Sequence, residues 1–153
     1  MSTVVALDLG SSALAAAEMK VGRDRVSLTK AAFAPLPPGL MSDGEVREAA
    51  DLAGELKRFW KENKFSGKKV RLGVANQRVL VRTIELPVLD DPQVLRAAVQ
   101  FEAGEHIPIP PDESIVDFQP VMRYMSDDGE RERVVVVAAY RDMIETLVAV
   151  VKG

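Results

Sequence analysis

The stretch Val4-Val5-Ala6-Leu7-Asp8-Leu9-Gly10-Ser11-Ser12 decides the fold, because it joins an apolar strand to a small polar turn. The hydrophobic run before Asp8 predicts a buried strand. Gly10 lets the backbone approach an anion closely, and successive N–H groups in a tight turn form an anion-binding concavity. Asp8, at the strand end, suits a hydrated cation rather than the phosphate itself. Since Asp, Gly and Ser are also ordinary turn formers, this stretch alone leaves a phosphate turn and a simple β-turn equally open.

Composition limits the class of protein. The chain has 153 residues, of which 47% are hydrophobic and 28% charged, which is typical of one globular domain or of two small subdomains sharing a core. A net charge of -3 lacks the basic footprint that nucleic-acid binding requires. The sequence has no cysteine and a single histidine, His106. These counts exclude disulfides, thiolate metal sites, cysteine nucleophiles and histidine-rich metal clusters.

The sequence also carries information on location. Its beginning lacks the basic region and apolar core of a signal peptide. No apolar run approaches the roughly 18 residues that a membrane span needs. We therefore expect a cytoplasmic protein without direct membrane insertion, whose contact with the inner membrane depends on a partner.

The first half of the chain predicts three strands followed by a helix. Alternation favours a strand over residues 25–31. Residues 13–21 are ambiguous because their alanines favour a helix, but a strand there is preferred, since it gives the next strand a neighbour and completes a meander with the opening strand. Ser42 and Asp43 are the candidate helix caps. The helix is expected to bury residues at helical spacing, namely Val46, Ala49, Leu52, Ala53, Leu56, Phe59 and Trp60.

The second half predicts a further α/β unit. Strands are expected over 68–74, 79–86, 114–124 and 132–140, the last being central because Val134–Val137 is apolar on both faces. Asp90-Asp91-Pro92 predicts the start of a second helix, with Val94, Leu95, Ala98, Val99 and Phe101 inward. A third helix over 141–152 is expected to bury Met143, Ile144, Leu147, Val148 and Val151. The predicted division lies near Pro87, giving domains 1–86 and 87–153.

Familiar catalytic motifs are missing from the sequence. Neither the P-loop pattern nor the G-x-G-x-x-G fingerprint occurs, and no nucleophile–base pair is supported by spacing. His106 follows Glu102 by four residues at a helix end, where a cation complements the helix dipole and an i,i+4 pair can form. We therefore lean towards a protein that is not an enzyme.

Arg82 is a charged residue on an otherwise apolar predicted strand. It fits an edge strand from which the side chain reaches water. The alternative is a buried or interfacial ion pair, with Glu102 as the candidate partner. Arg82 and Glu102 are accordingly the two residues nominated for partner binding.

An ordered series of short motifs adds a resemblance to a known family. The series consists of Leu7–Ser12, Glu18, Leu36–Gly39, Asp43-Gly44, Gly67–Val70, Val81–Pro87, Phe101–Ala103, Ile107–Pro110 and Val135–Arg141. In order and spacing it resembles the type IV pilus assembly protein PilM family, which includes competence proteins. That family is related to the cell-division protein FtsA and belongs to the actin-like nucleotide-binding superfamily.

The resemblance implies an α/β fold: a partial actin-like (ribonuclease H-like) subdomain with an inserted small α/β subdomain. It places nucleotide contacts at Asp8, Gly10, Ser11 and Ser12, with ATP and Mg as the implied cofactors. It further implies a scaffold or adaptor of a type IV pilus, competence or secretion machine. The implied partners are the cytoplasmic tail of a PilN-like inner-membrane protein and, in addition, the pilus motor ATPase.

Two departures from the family weaken the implied ATP site. The lysine that commonly follows the two serines is replaced by the stretch Ala13–Ala16, and losing a charge-assisted contact weakens anion binding. The family is also more than twice this length. We therefore expect a fragment, a truncated product or a reduced homologue, with weak ATP binding or none.

Two alternatives share the same opening motif. One is the N-terminal fragment of a sugar or acetate kinase-like enzyme of the actin superfamily, and the other is a fragment of an FtsA-like division scaffold. A kinase of this kind would have an acidic catalytic loop in the first half of the chain, and this sequence has none there. The division scaffold would differ by a C-terminal membrane-targeting helix.

Overall fold

The computed structural model describes residues 2–153, which form two compact units. The first unit comprises residues 2–76 with 145–153, and the second comprises residues 77–144. This division differs from the predicted boundary at Pro87, because the strand over Val79–Pro87 pairs within the second unit. No helix among residues 2–153 is long and apolar enough to cross a bilayer.

The sheet of the first unit begins as the predicted meander. Strands β1 (Ser2–Leu9), β2 (Ala13–Val21) and β3 (Val26–Pro35) pair antiparallel in sequence order. Strand β6 (Lys69–Gly73) joins the other side of β1 in parallel, so the strand order is β3-β2-β1-β6. Alternating burial along β1 and β2 confirms that these strands present one apolar face to the interior.

The first helix starts later than predicted. Strands β4 (Met41–Ser42) and β5 (Glu45–Val46) form a small hairpin, in which Asp43 and Gly44 have φ of 55° and 75°. Two adjacent residues with positive φ are typical of the type I′ turn that Asp-Gly favours. Ser42 and Asp43 therefore do not cap the helix, and that prediction is wrong. Helix α1 (Ala49–Glu62) follows and buries Leu52, Leu56 and Phe59.

One buried carboxylate anchors the start of β6. Glu18 is 5% exposed, and its Oε2 accepts hydrogen bonds from Ser66 N (2.7 Å), Ser66 Oγ (3.0 Å) and Gly67 N (2.9 Å). Thr29 Oγ1 lies 3.4 Å from the other oxygen. A Cβ at position 67 would lie 2.8 Å from Val5 Cγ2, so glycine is required there by close approach. The chain entering β6 is thus held by an acceptor on β2.

The second unit is an antiparallel sheet covered by one helix. Strands β7 (Val79–Pro87), β8 (Ser114–Ser126) and β9 (Gly129–Tyr140) have the order β7-β9-β8, which confirms that β9 is central. Helix α2 (Pro92–His106) begins at Asp91, whose carboxylate accepts from the N–H groups of Gln93 (2.8 Å) and Val94 (3.4 Å). The predicted acidic cap with Pro92 at the first position is confirmed.

The inward face of α2 differs in part from the prediction. Leu95, Val99 and Ala103 are buried against the sheet. Val94 and Phe101 are 49% and 71% exposed, so their assignment to the core is wrong. The helix has apolar residues on several sides, and periodicity therefore does not select one face.

Helix α3 (Arg141–Lys152) ends the chain as predicted. Met143, Leu147 and Val150 are buried in it. Val148, predicted to point inward, is 39% exposed.

Candidate functional site

The β1–β2 turn carries the predicted phosphate-binding residues. Gly10 N donates to Ala13 O at 2.9 Å, which closes a tight hairpin with Ser11 and Ser12 at its tip. Both serines are exposed, and Leu36 N donates to Ser12 O at 2.8 Å. The Gly10 amide is therefore already hydrogen-bonded within the turn, and the two serine side chains face solvent.

Asp8 borders a cavity of about 260 Å³ at the end of β1. Its strand neighbours there are Ala15 on β2 and Gly73 on β6. The cavity is lined by Asp8, Leu9, Met41, Gly44, Gly73, Val74, Ala75 and Leu147, of which Asp8 alone is charged. Asp8 therefore lines a recess whose other lining side chains are uncharged, and Gly10, Ser11 and Ser12 are not among the lining residues.

The β4–β5 hairpin forms one wall of this recess. Asn76 Nδ2 donates to Gly44 O at 3.0 Å. A Cβ on Gly44 would lie 2.8 Å from Asn76 Cβ, so positive φ and close approach both require glycine. Met41, Gly44 and Asn76 were not predicted as site residues, although the Asp43-Gly44 step that marks the turn is present in the sequence.

These groups form a partial site rather than a complete nucleotide cradle. The one charged group of the recess is a carboxylate, which repels a polyphosphate and attracts a hydrated cation. No Lys or Arg of the described chain lines the recess, so no cationic side chain there offsets phosphate charge. Within residues 2–153, no group of three or more Asp, Glu or His side chains is arranged to hold a metal ion. The recess residues therefore suit a hydrated cation better than the phosphates of a nucleotide.

Arg82 and Glu102 lie in the second unit, and the structure does not pair them. Arg82 is exposed on the edge strand β7, and its Nη1 donates to Val81 O at 2.9 Å. Glu102 instead lies 3.4 Å from His106 Nε2, the i,i+4 pair that the spacing predicts. The edge-strand interpretation of Arg82 is confirmed, and the Arg82–Glu102 ion pair is wrong. Their use in partner binding remains a prediction.

The second unit contains a buried ionic group that was not predicted from the sequence. Glu132 is 4% exposed, and its Oε1 accepts from Arg123 Nε at 2.9 Å. The hydrogen bond and charge of Glu132 hold the pKa of Arg123 above its ordinary value, and Asp90, whose Oδ1 lies 3.6 Å from Arg123 Nη1, adds a smaller contribution in the same direction. Glu132 Oε2 has no hydrogen-bond partner within the part of the chain that is described. Glu132 is separated from Val134, Val136 and Ala138 by even numbers of residues, so the sequence pattern places its side chain on the same buried face of β9.

Comparison with known proteins gives the family. Residues 6–153 match the family described as type IV pilus assembly protein PilM. A solved chain from a "PilM-PilN type IV pilus biogenesis complex" is 29% identical, with a TM-score of 0.81 over 97% of this chain. The present chain spans 44% of the length of that relative. The mixed α/β fold and the ordered motifs agree with this match, and the chain belongs to the PilM family of type IV pilus assembly proteins.

Proposed function

We propose that this chain is a scaffold of a type IV pilus assembly machine that holds the cytoplasmic tail of a PilN-like inner-membrane protein. The observation that carries the proposal is the similarity, over 97% of the chain, to a protein solved as part of a PilM–PilN complex. The family match favours this function over the kinase-like and division-scaffold alternatives.

The second unit offers surface groups suited to such a contact. Val81, Arg82 and Phe101 are exposed there, the first and last being 54% and 71% accessible. Protein interfaces are enriched in aromatic residues and arginine, surrounded by polar groups. We nominate Arg82 and Glu102 as the charged contacts. In this proposal the protein works in the cytoplasm, reaches the inner membrane through its partner, and has the pilus motor ATPase as a further contact.

The tail contact is tested by titrating the ¹⁵N-labelled chain with a synthetic PilN-type tail peptide. We expect amide shifts within residues 70–110 and weaker binding by Arg82→Glu. The matched control is Arg25→Glu, an exposed charge reversal in the first unit. A folded chain that shows no shift with the tail peptide would contradict the proposal.

Nucleotide contact is proposed to be weak and confined to Asp8, Gly10, Ser11 and Ser12. A single turn leaves most of a nucleotide in water, so we expect ATP with Mg to bind with a Kd of about 1 mM or weaker. Isothermal titration calorimetry measures this Kd for the native chain and for Asp8→Asn as the matched variant. Micromolar binding that Asp8→Asn abolishes would show a complete site instead.

A further inference from the structure

The chain passes between the two units twice, and the two connections differ in structure. The first unit ends at Asn76 and the second begins at Gln77, within a non-helical segment, residues 74–78, that joins β6 to β7. The return lies between Ile144 and Glu145, inside α3. Sharp bends in helices occur almost always at Pro, Gly or an irregular turn, and α3 contains neither Pro nor Gly. The non-helical connection is therefore the one that can absorb changes in φ and ψ.

Arg78 joins the end of the non-helical connection to the start of α3. Its Nη2 donates to Asp142 Oδ1 at 2.6 Å, and its guanidinium carbon lies 4.5 Å from the centre of the Tyr140 ring. Its backbone oxygen accepts from Tyr140 N at 3.3 Å. The Arg78 hydrogen bond also holds the pKa of Asp142 below its ordinary value, which keeps this carboxylate charged at neutral pH. We call Arg78, Tyr140 and Asp142 together the Arg78 clasp.

The chemistry of the Arg78 clasp suits positioning better than stabilisation. A planar guanidinium can donate to a carboxylate and stack on an aromatic ring at the same time. The Arg78 side chain is 30% exposed and that of Asp142 is 72% exposed. Exposed ion pairs contribute little to the stability of a fold. The contacts of the clasp therefore act mainly by fixing the non-helical connection against the first turn of α3.

A second arginine of the same unit makes the same two kinds of side-chain contact away from the connections. Arg133 Nη2 donates to Glu85 Oε1 at 3.0 Å, and its guanidinium carbon lies 5.7 Å from the centre of the Tyr124 ring. Arg133 precedes Ala139, the partner of Val79 at the start of β7, by six residues of β9. At about 3.3 Å per residue this is roughly 20 Å along the strand. Arg133 is thus a matched control for Arg78.

We propose that the Arg78 clasp is a conformational device that fastens the non-helical connection to α3, so that the second unit turns together with this helix. When the clasp is closed, both connections move as one hinge. When it is open, the non-helical connection can change its φ and ψ independently, and the second unit gains further orientations. Contacts of this kind shift an equilibrium by roughly 2- to 10-fold, and loss of the clasp should raise the population of these orientations by that factor.

The proposal is tested by measuring the distance between spin labels in the two units. Because the sequence has no cysteine, labels can be attached at Asp51→Cys on α1 and Gln100→Cys on α2, which are both exposed positions. Pulsed electron–electron double resonance gives the distribution of distances between them. We expect Arg78→Ala to broaden this distribution relative to the labelled chain that keeps Arg78. Arg133→Ala should leave it unchanged.

An exchange of charges tests the ion pair itself. Arg78→Asp alone places two carboxylates together and should broaden the distance distribution. Arg78→Asp combined with Asp142→Arg restores opposite charges, so its distribution should be narrower than that of Arg78→Asp.

Hydrogen exchange separates a change of orientation from local unfolding. We expect the amides of β7 and β9 to keep their native protection in Arg78→Ala. The proposal is overturned if Arg78→Ala leaves the distance distribution unchanged, if Arg133→Ala broadens it equally, or if the broadening comes with lost protection in β7 and β9. It is also overturned if the charge exchange gives no narrowing. No tail peptide or nucleotide enters these measurements, so their outcome is independent of the proposed function.

Discussion

Each of the two units buries one glutamate, and the two are stabilised by different means. Glu18, in the first unit, accepts hydrogen bonds from the Ser66 and Gly67 amides and the Ser66 hydroxyl on a neighbouring loop, and from the Thr29 hydroxyl on β3. Glu132, in the second unit, depends on one long side chain, Arg123, and retains an oxygen without a partner in the described chain. A carboxylate held by backbone donors fixes the path of the chain, whereas an ion pair on a sheet can be replaced by apolar packing.

The largest expected effect tests whether the two units unfold separately. Leu52 is fully buried in the first unit, and we expect Leu52→Ala to cost about 2–5 kcal/mol of unfolding free energy. Native-state hydrogen exchange should place this loss in residues 2–76 and 145–153, with the amides of 77–144 little changed. Leu95→Ala in the second unit is the matched variant, with the reverse pattern. Equal losses in both units from either variant would show one cooperative unit instead.

A smaller effect distinguishes the two buried glutamates. Glu18→Met leaves the Ser66 and Gly67 amides without an acceptor, so we expect a clear fall in Tm. Glu132→Met removes the unpartnered oxygen and leaves Arg123 half exposed, so its Tm should be nearly unchanged or raised. Thermal unfolding by circular dichroism measures both. A greater loss for Glu132→Met than for Glu18→Met would reverse the comparison.

Acid should reveal the charge of Glu18 specifically. The Ser66 and Gly67 amides hold the pKa of Glu18 below the ordinary value of 4.5. Because the pKa of Glu18 is lower in the folded than in the unfolded chain, ionised Glu18 stabilises the fold. This contribution is complete above pH 4.5 and is lost as pH falls through the pKa of Glu18 in the folded chain. The stability difference between the native chain and Glu18→Gln should therefore shrink on acidification. A difference that is constant between pH 7 and pH 3 would assign the effect to packing.

The smallest expected effect concerns the start of α2 in the second unit. Asp91→Ala removes the side-chain acceptor for the Gln93 and Val94 amides, and should cost about 1 kcal/mol. Asp90→Ala is the matched control, because its exposed carboxylate only approaches Arg123, and it should cost less than about 0.5 kcal/mol. Urea denaturation of both variants measures the difference. Equal costs would indicate that the capping bond contributes little.

The strands could be predicted from sequence because their alternation is regular. The apolar run Val134–Val137 predicts the central position of β9 directly, whereas β2, whose alanines also favour a helix, was predicted as a strand only because β3 needs a neighbour. The start of α1 could not be predicted, because residues such as Ser42 and Asp43 are favoured both as helix caps and in tight hairpin turns. Phe101 was misplaced because α2 is apolar on more than one side.

The candidate site was predictable only where the residues are adjacent in sequence. Asp8 and the Gly10–Ser12 turn are near each other because they are adjacent in sequence, although of these residues Asp8 alone lines the recess. The Gly44–Asn76 contact joins residues far apart in the chain, and it depends on how the hairpin packs. The predicted Arg82–Glu102 ion pair was wrong for the same reason, because the sequence shows which charged residues exist but not which of them are in contact.

The contact between Glu18 and Gly67 has a consequence for how this protein can evolve. A side chain at position 67 would collide with Val5 and displace the amides that Glu18 accepts. A family member that lost the carboxylate at position 18 would release the constraint on Ser66 and Gly67. Positions 18, 66 and 67 should therefore be inherited as a set, and substitutions among them should show strong epistasis in a mutational scan.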